Sequence, residues 1–317
     1  MFMVSLFMDA EFNGTYITLG GYVGLDKYRY LYFVILLTLY ILILCTNCTI
    51  ICLIWIHRNL HEPMYIFIAA LSFNSVLLST AIYPKLFIDV LSQKQTISYS
   101  ACMFQSFIFY SLGCSDFLLL SAMAYDRYVA ICKPLQYPTI MGNITVTVLL
   151  TLAWFIPALE VAVAIVIHSK QKLCDFTTDG IFCNNKIFKL YCVKSTVLNV
   201  YGLIFILNAA VVPVIFILFT YIKIFIITYH SCAEIRKKAA ETCLPHLMVL
   251  ICCLFLSVFD AVSARLESDL PKNVNLIMSL QIVVYGPLFN PIIYGVKMKE
   301  ISKHIKGLLC QPLTKSI

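Results

Sequence analysis

Seven long apolar stretches constrain this chain more than any other feature of its sequence. Each holds about 20 or more residues, enough for a helix to cross roughly 30 Å of hydrocarbon. The stretches are continuously apolar rather than alternating, which excludes a membrane β-barrel. We therefore predict an all-α membrane protein, a bundle of seven transmembrane helices. The predicted spans are Tyr30–Ile56, Pro63–Leu91, Ala101–Cys132, Val146–Ile167, Thr196–Tyr229, Leu244–Ala264 and Val274–Tyr294.

The composition indicates a membrane protein without a soluble domain. Only 12% of the 317 residues are charged, 61% are hydrophobic, and the mean hydropathy is +0.89. Soluble domains carry about 25% charged residues, so this chain lacks the charge to cover a soluble surface. We expect an amino-terminal segment over residues 1–29, the seven-helix bundle over 30–294 and a tail over 295–317. The net charge of +7 is scattered, so no nucleic-acid partner is expected.

The segment after the seventh span predicts a short amphipathic helix in the membrane interface. Its apolar residues recur at helical spacing, while lysines occupy the other faces. Such a helix buries its apolar face at the membrane surface, and its lysines favour anionic cytoplasmic lipid. Cys310 at its end is a palmitoylation site or an unmodified cysteine, and the sequence leaves both open. The apolar positions are Ile301, Ile305, Leu308 and Leu309.

The distribution of positive charge predicts an amino terminus outside the cell. In that orientation, twelve Lys and Arg residues lie inside and six outside, once the long loop over residues 169–194 is left out. Short cytoplasmic loops carry the excess of positive charge in membrane proteins. We predict a multi-pass protein of the plasma membrane, glycosylated at the Asn13 sequon. The Asn143 sequon falls inside and would go unused, and no cleaved signal peptide is expected.

Four of the fourteen cysteines fall on the predicted extracellular side. Cys102 begins the third span, and Cys174, Cys183 and Cys192 lie in the long loop. An even number of cysteines in an oxidising compartment predicts two disulfides, and the residues alone leave all three pairings open. These four cysteines form no Cys-x-x-Cys motif or Cys/His cluster that would support a zinc site, so we expect no metal and no cofactor.

Four motifs in the chain point to a known family. They are PMYIFIAALS (63–72), MAYDRYVAICKPLQYPTIM (123–141), KAAETCLPHL (238–247) and NPIIYGVKMKEI (290–301). Over nearly the whole chain, and in this order, the sequence resembles the odorant receptor family of rhodopsin-type G-protein-coupled receptors. The variants IYPKLF and GCSDFLLLSAMAYDRY are most similar to fish-type odorant receptors.

The resemblance implies a receptor rather than an enzyme. It implies that the chain binds a small odorant and activates a stimulatory heterotrimeric G protein, with cyclic AMP as the signal. It also implies the disulfides Cys102–Cys183 and Cys174–Cys192. The alternatives are a non-olfactory receptor of the same fold and, from another class, a ligand-gated channel or transporter. A channel or transporter needs a charged path across the membrane, which one buried acid does not supply.

Asp126 and Arg127 end the third span, and two interpretations of them are open. As two interfacial charges that pair with each other, they would anchor the end of the helix. The resemblance implies instead a two-state switch, in which Asp126 holds Arg127 at rest and releases it to the G protein on activation. The residues that the resemblance assigns to this switch are Asp126, Arg127, Tyr128, Tyr221, Asn290, Pro291 and Tyr294.

Asp116 is an acidic residue near the middle of the third span, ten residues before Asp126. Because an acid at that depth costs about 3 kcal/mol or more to insert, it indicates a function. We predict a polar cluster that binds sodium or a proton, and a protonated, merely hydrogen-bonded Asp116 is the alternative. The predicted members are Asp116, Asn47, Asn74, Ser75 and Asn290.

We expect the ligand to bind between the helices, in the extracellular half of the bundle. Stripes of residues at 3.6-residue spacing on the third, fifth and sixth spans supply the candidate contacts, although packing is the commoner role of such positions. The candidates are Gln105, Phe109, Leu112, Gly113, Gly202, Phe205, Ile206, Ala209, Leu254, Ser257, Val258, Ala261 and Arg265.

Arg265 sets the predicted chemistry of the ligand, because it ends the stripe on the sixth span. A guanidinium binds a carboxylate through two hydrogen bonds, so we predict an anionic or otherwise water-soluble odorant. Exposure to water, or pairing with Asp260 or Glu267, is the alternative role of Arg265. Glu160 and Asp260 would instead suit an amine.

Overall fold

Seven long helices and a shorter eighth form most of the described part of the molecule. The computed structural model describes residues 15–193, 195–229, 233–265 and 271–310, excluding the side chains at 235, 238, 239, 242, 263–265, 299 and 308–310. Seven described helices are long and apolar enough to cross a membrane, which confirms the predicted fold class. The helices are α1 (Leu25–Ile56), α2 (Pro63–Leu91), α3 (Tyr99–Cys132), α4 (Asn143–Ser169), α5 (Thr196–Tyr229), α6 (Ala233–Arg265), α7 (Lys272–Lys297) and α8 (Lys299–Cys310).

Five of the seven helices extend beyond the apolar stretches that predict them, while α2 and α5 have the predicted bounds. For example, α1 begins at Leu25 rather than Tyr30, and α6 begins at Ala233 rather than Leu244. Hydropathy marks only the part of a helix that matches hydrocarbon, whereas backbone hydrogen bonding continues into the polar turns on either side. Within α5, residues Leu207–Val211 form a π-helical turn, a feature that is frequent at functional sites.

α3 is the central helix of the bundle and packs against α2, α4, α5 and α6. Its buried side chains join two apolar clusters. Leu119 and Met123 belong to a cluster at the end of the bundle that contains Arg127, which we call the Arg127 end. Phe109 belongs to a second cluster nearer the opposite end, where the disulfides lie, which we call the disulfide end. A helix surrounded by other helices has apolar side chains on every face, and α3 adds a few buried polar residues such as Gln105 and Asp126.

A small three-stranded sheet covers the disulfide end. Its strands are β1 (Tyr16–Leu19), β2 (Thr96–Ser98) and β3 (Thr177–Thr178), in the order β2-β1-β3. β1 pairs with β2 in antiparallel and with β3 in parallel orientation. Alternate residues of β1 are buried, as expected for a strand with one face on a core. The segment that precedes α1 is therefore joined to the two loops that follow α2 and α4.

Two disulfides fix the long loop between α4 and α5. One joins Cys102 at the start of α3 to Cys183, and the other joins Cys174 to Cys192 within the loop. This is the pairing that the family resemblance implies. Around the first disulfide, Ile187 and Leu190 of the loop are buried together with Ile17 and Leu19 of β1. The loop is thus held by covalent bonds, by strand pairing and by an apolar core.

α8 is amphipathic, as its sequence predicts. Ile301 is fully buried and Ile305 packs against the cluster at the Arg127 end, whereas Lys303 and Lys306 are exposed. Asn13, the predicted glycosylation site, and the side chain of Cys310, the palmitoylation candidate, lie outside the described residues. The side chains of Leu308 and Leu309, predicted for the apolar face of α8, lie outside them as well.

Gly21, which follows β1, provides a test of how closely the sheet is packed. A Cβ at position 21 would lie 2.6 Å from the carbonyl carbon of Gly180 and 2.7 Å from the carbonyl oxygen of Asp179. Because backbone atoms must move to relieve this contact, we expect Gly21→Ala to lower the free energy of unfolding by about 1–3 kcal/mol. The measurement is the thermal unfolding temperature of the purified protein in detergent.

Gly307→Ala is the matched control, because no heavy atom lies within 4 Å of a Cβ built at Gly307. Alanine favours a helix over glycine by about 1 kcal/mol, so this variant should unfold no earlier than the parent. Equal unfolding temperatures for the two variants would contradict the close packing of the sheet.

Candidate ligand cavity and the buried Asp126–Arg127 pair

A cavity of about 1110 Å³ lies in the half of the bundle near the disulfide end. Side chains of α3, α4, α5, α6 and α7 form its walls, and the loop over residues 179–193 forms its roof. Small-molecule sites are commonly about 300–1,000 Å³, so this cavity has room for a small organic ligand. Most of its wall is apolar, and the polar groups are concentrated near the roof.

Ten of the thirteen residues predicted to contact the ligand line this cavity. The structure brings the stripes of α3, α5 and α6 together around one space, as their helical spacing predicts. The ten residues are Phe109, Gly113, Gly202, Phe205, Ile206, Ala209, Leu254, Ser257, Val258 and Ala261.

Two of the predicted contacts have other surroundings. Gln105 is buried, and its Oε1 accepts a hydrogen bond of 3.0 Å from the backbone N–H of Cys183, so it holds the loop. The side chain of Leu112 packs against the apolar cluster of Phe109 instead of lining the cavity. A stripe covers a broad arc of a helix, and residues at the edges of that arc face neighbouring helices. The side chain of Arg265 lies outside the described residues.

A polar cluster around Asp260 connects the roof to two helices. The Asp260 carboxylate accepts hydrogen bonds from the Tyr110 hydroxyl (2.8 Å), the Asn184 amide (2.9 Å) and the Asn185 amide (3.3 Å). The backbone N–H of Asn185 donates to the Tyr110 oxygen at 2.7 Å. Burial lowers the pKa of the nearby Lys186 amine, and the negative charge of Asp260 opposes that shift. This cluster was missed by sequence reasoning, which considered Asp260 only as a partner of Arg265 or of an amine.

Asp116 contacts one of the four partners predicted for it. Its Oδ1 accepts a hydrogen bond of 2.7 Å from the amide of Asn74. The Oδ1 of Asn74 accepts a hydrogen bond of 3.1 Å from the ring N–H of Trp154. Because an indole N–H can only donate, this contact fixes the orientation of the Asn74 amide and directs its NH₂ group at Asp116. Asp116 also lines the cavity.

The other predicted members of the Asp116 cluster make no described hydrogen bond to Asp116, and the Oδ1 of Asn47 is buried without a partner among the described residues. Pro291 has no N–H, so it leaves the carbonyl of Pro287 without its usual helical donor. The amide of Asn47 replaces that donor, with a hydrogen bond of 2.7 Å to the Pro287 oxygen. The Ser75 hydroxyl donates to the Leu71 carbonyl of its own helix at 3.0 Å. Among the described residues, the buried Nδ2 of Asn290 has no hydrogen-bond partner.

Asp126 is completely buried at the other end of α3, where it is paired with Arg127. Its Oδ2 accepts hydrogen bonds from the Nε (2.9 Å) and Nη2 (2.5 Å) atoms of Arg127. Its Oδ1 accepts a hydrogen bond of 2.7 Å from the hydroxyl of Tyr137, in a one-turn helix that follows α3. Burial raises the pKa of the Tyr137 phenol, and the hydrogen bond to Asp126 raises it further, so Tyr137 remains a donor.

His246 of α6 lies between the two tyrosines that the resemblance assigns to the switch. Its Nδ1 is 3.1 Å from the hydroxyl of Tyr221, and its ring stands edge-to-face with that of Tyr294 at 5.7 Å between centroids. Its Nε2 and the Tyr294 hydroxyl are buried without partners among the described residues. Tyr128 packs against the apolar cluster nearby. Sequence reasoning missed His246, although it lies in the quoted KAAETCLPHL motif.

The hydrogen bond from Asn47 to the Pro287 carbonyl provides a test of these interhelical contacts. Asn47→Ala leaves that buried carbonyl without a donor, so we expect a loss of about 1–3 kcal/mol in the free energy of unfolding. Thermal unfolding in detergent measures the effect. The control is Thr49→Ala, because the exposed Thr49 hydroxyl bonds only to the Cys45 carbonyl of its own helix. Equal unfolding temperatures of the two variants would show that the hydrogen bond from Asn47 to the Pro287 carbonyl contributes nothing to stability.

Comparison with known proteins identifies the family. Residues 36–312 match the family described as olfactory receptor. Human olfactory receptor 11A1 is 32% identical over 307 residues, which cover 96% of each chain. Human olfactory receptor 10K2 is 34% identical over 313 residues, which cover 94% of each chain. These findings confirm the resemblance, while the closer likeness to fish-type receptors stays a prediction. The chain belongs to the olfactory receptor family, and it is a multi-pass membrane receptor rather than an enzyme.

Proposed function

We propose that this receptor binds a small odorant in the cavity and activates a stimulatory heterotrimeric G protein at the Arg127 end. The observation that carries the proposal is the position of the cavity, which lies between the helices that also carry Arg127 and His246. A ligand in contact with α3, α5 and α6 acts directly on the elements that lead to the opposite end. Such a connection between two sites is what allosteric activation requires.

We place the disulfide end outside the plasma membrane and the Arg127 end in the cytosol. The disulfides support this orientation, because they persist in oxidising compartments and are rare in the cytosol. The excess of lysine and arginine in the short loops of the Arg127 end supports it as well. In this orientation the amino terminus is extracellular.

A cyclic AMP reporter in transfected cells tests the proposed function. Acids, amines and neutral volatiles are applied in turn, which also tests the anionic ligand predicted from Arg265. A response that requires the stimulatory G protein supports the proposal. A ligand-gated current without a G protein would instead favour a channel.

Gly113 offers a way to fill the cavity without disturbing its walls. It lines the cavity, and no heavy atom lies within 4 Å of a Cβ built on it. We expect Gly113→Leu to reduce the potency of agonists strongly in the reporter assay, because the added side chain occupies ligand space. Surface expression, measured by antibody, should be unchanged. The control is Gly307→Ala, where the Cβ also meets no atom but the cavity is distant. Full agonist potency in Gly113→Leu would show that the ligand does not bind in this cavity.

Arg127 and Tyr137 test the switch at the cytoplasmic end. We expect Arg127→Ala to abolish the reporter response while the protein remains at the cell surface. Tyr137→Phe removes one hydrogen bond from Asp126, weakens the hold on Arg127 and should raise basal signalling. Tyr125→Phe serves as a control, since Tyr125 makes a ring contact with Phe216. Loss of the Arg127→Ala protein from the surface would favour the alternative role of the pair as an anchor.

We propose that Asp116 binds a proton rather than sodium. The basis is that hydrocarbon surroundings disfavour a charged carboxylate, and that the hydrogen bond described for Asp116 comes from the NH₂ group of Asn74, whereas a hard cation needs several oxygen ligands. Replacing sodium by choline should therefore leave basal signalling and agonist potency of the parent receptor unchanged. The same replacement should also have no effect on the Asp116→Asn variant. Sodium dependence in the parent that disappears in Asp116→Asn would restore the ion site.

A further inference from the structure

The cavity is closed from above by a roof that is fixed in several independent ways. Residues Asn184, Asn185, Ile187 and Tyr191 of the extracellular loop line it from that side. The two disulfides attach this loop to α3 and to itself. β1 pairs with β3 of the same loop, and the Asp260 carboxylate binds both asparagine amides of the roof. Opening the roof would break several of these contacts at once.

The wall between α5 and α6 is much less closed. The close backbone contacts between these two helices involve mainly the cytoplasmic part of α5, Val212–Tyr229. In their extracellular halves, residues of both helices line the cavity and also have large exposed fractions, so we take this stretch of the wall as the candidate opening. The exposed fractions are 60% for Leu203, 38% for Val211, 57% for Val258 and 43% for Val262. Ser257, which also lines the cavity, is exposed between them.

This opening lies at the depth of the hydrocarbon rather than of the water. Leu203 is seven residues inside α5, or about 10 Å from its first residue at 1.5 Å per residue. Val258 and Val262 belong to the apolar part of α6, Cys243–Val262. The described residues that frame the opening are four aliphatic side chains and a serine hydroxyl, without a charge. Lipid chains rather than water therefore surround the entrance.

We propose that ligands enter this receptor sideways from the bilayer, through a portal framed by Leu203, Val211, Ser257, Val258 and Val262. The ligand class that fits this route is a neutral molecule with an apolar body that partitions into membranes and one hydrogen-bonding group. The body occupies the apolar wall, and the polar group reaches the hydroxyls and amides under the roof. The route disfavours the anionic ligand predicted from Arg265, because an ion is costly to move through hydrocarbon. The inference rests on the proposed function only in taking this cavity as the ligand site.

Photolabelling with a membrane-dissolved probe tests the portal. The full-length receptor is placed in dioleoylphosphatidylcholine nanodiscs with a trifluoromethyl-phenyldiazirine dissolved in the lipid, and adducts are located by peptide mass spectrometry. The reporter residue is Phe109, which lines the cavity on the central helix and is only 8% exposed. We expect adducts at Phe109 from the lipid-dissolved probe, and none from a sulfonated phenyldiazirine confined to water.

A double variant then narrows the portal. Leu203→Trp with Val258→Trp should reduce the Phe109 adducts several-fold. The control is Ile204→Trp with Phe255→Trp, which adds the same bulk to neighbouring exposed positions that do not line the cavity, and should leave the adducts unchanged. The comparison of the two probes on the parent protein decides the question even if a variant fails to fold.

Two results would overturn the portal. One is labelling of Phe109 by the water-confined probe at a yield equal to that of the lipid-dissolved probe, which would indicate entry through the roof. The other is absence of Phe109 adducts from the lipid-dissolved probe, or equal adducts in the portal and control variants. Because labelling needs neither an agonist nor a G protein, either result leaves the test of the proposed function with Gly113→Leu unaffected.

Discussion

The absence of water from the hydrocarbon is the constraint on which the rest of this structure depends. Every backbone N–H and C=O in that region needs a partner within the protein, so the seven spans are helices. Where Pro291 removes the partner of the Pro287 carbonyl, another helix supplies it through Asn47. Polar side chains therefore turn inwards and connect helices. The three described strands lie at one end of the bundle, where water and the loops provide the remaining partners.

The same constraint concentrates charge at the two ends of the bundle. Near the disulfide end, the Asp260 carboxylate is surrounded by three hydrogen-bond donors from the roof and α3. At the Arg127 end, Asp126 is fully buried between Arg127 and Tyr137. α3 connects the two regions, because Gly113 of the cavity lies thirteen residues, or about 20 Å, from Asp126. α6 carries both Asp260 and His246. The proposed signal thus has two helices along which it can travel.

The seven spans, and most of the cavity wall, could be predicted from the sequence because each depends on a periodic local pattern. Hydropathy identifies the spans, and helical spacing identifies the stripes of α3, α5 and α6. The roof could not be predicted in this way, since Asn184 and Asp260 are far apart in the chain and meet only in the folded protein. The disulfide pairing came from the family resemblance, because the spacing of the cysteines leaves three arrangements open.

The predicted site residues that have other surroundings in the structure also reflect the difference between local pattern and overall packing. Gln105 and Leu112 lie at the edges of the α3 stripe, where a small rotation decides whether a side chain meets the ligand or a neighbour. Asn47 and Ser75 were predicted to lie at the same membrane depth as Asp116, but the described hydrogen bonds of their side chains are to the Pro287 and Leu71 carbonyls. Depth follows from position along a helix, whereas direction depends on the packing of all the helices.

The most direct test of the account is the effect of the G protein on agonist affinity. If the cavity and the Arg127 end are coupled, linkage requires each partner to raise the affinity of the other by the same factor. The measurement is the affinity of an agonist from the reporter screen for receptor in nanodiscs, with and without nucleotide-free stimulatory G protein. The account predicts tighter agonist binding when the G protein is present, and no such gain in Arg127→Ala. An affinity that is identical with and without the G protein would contradict it.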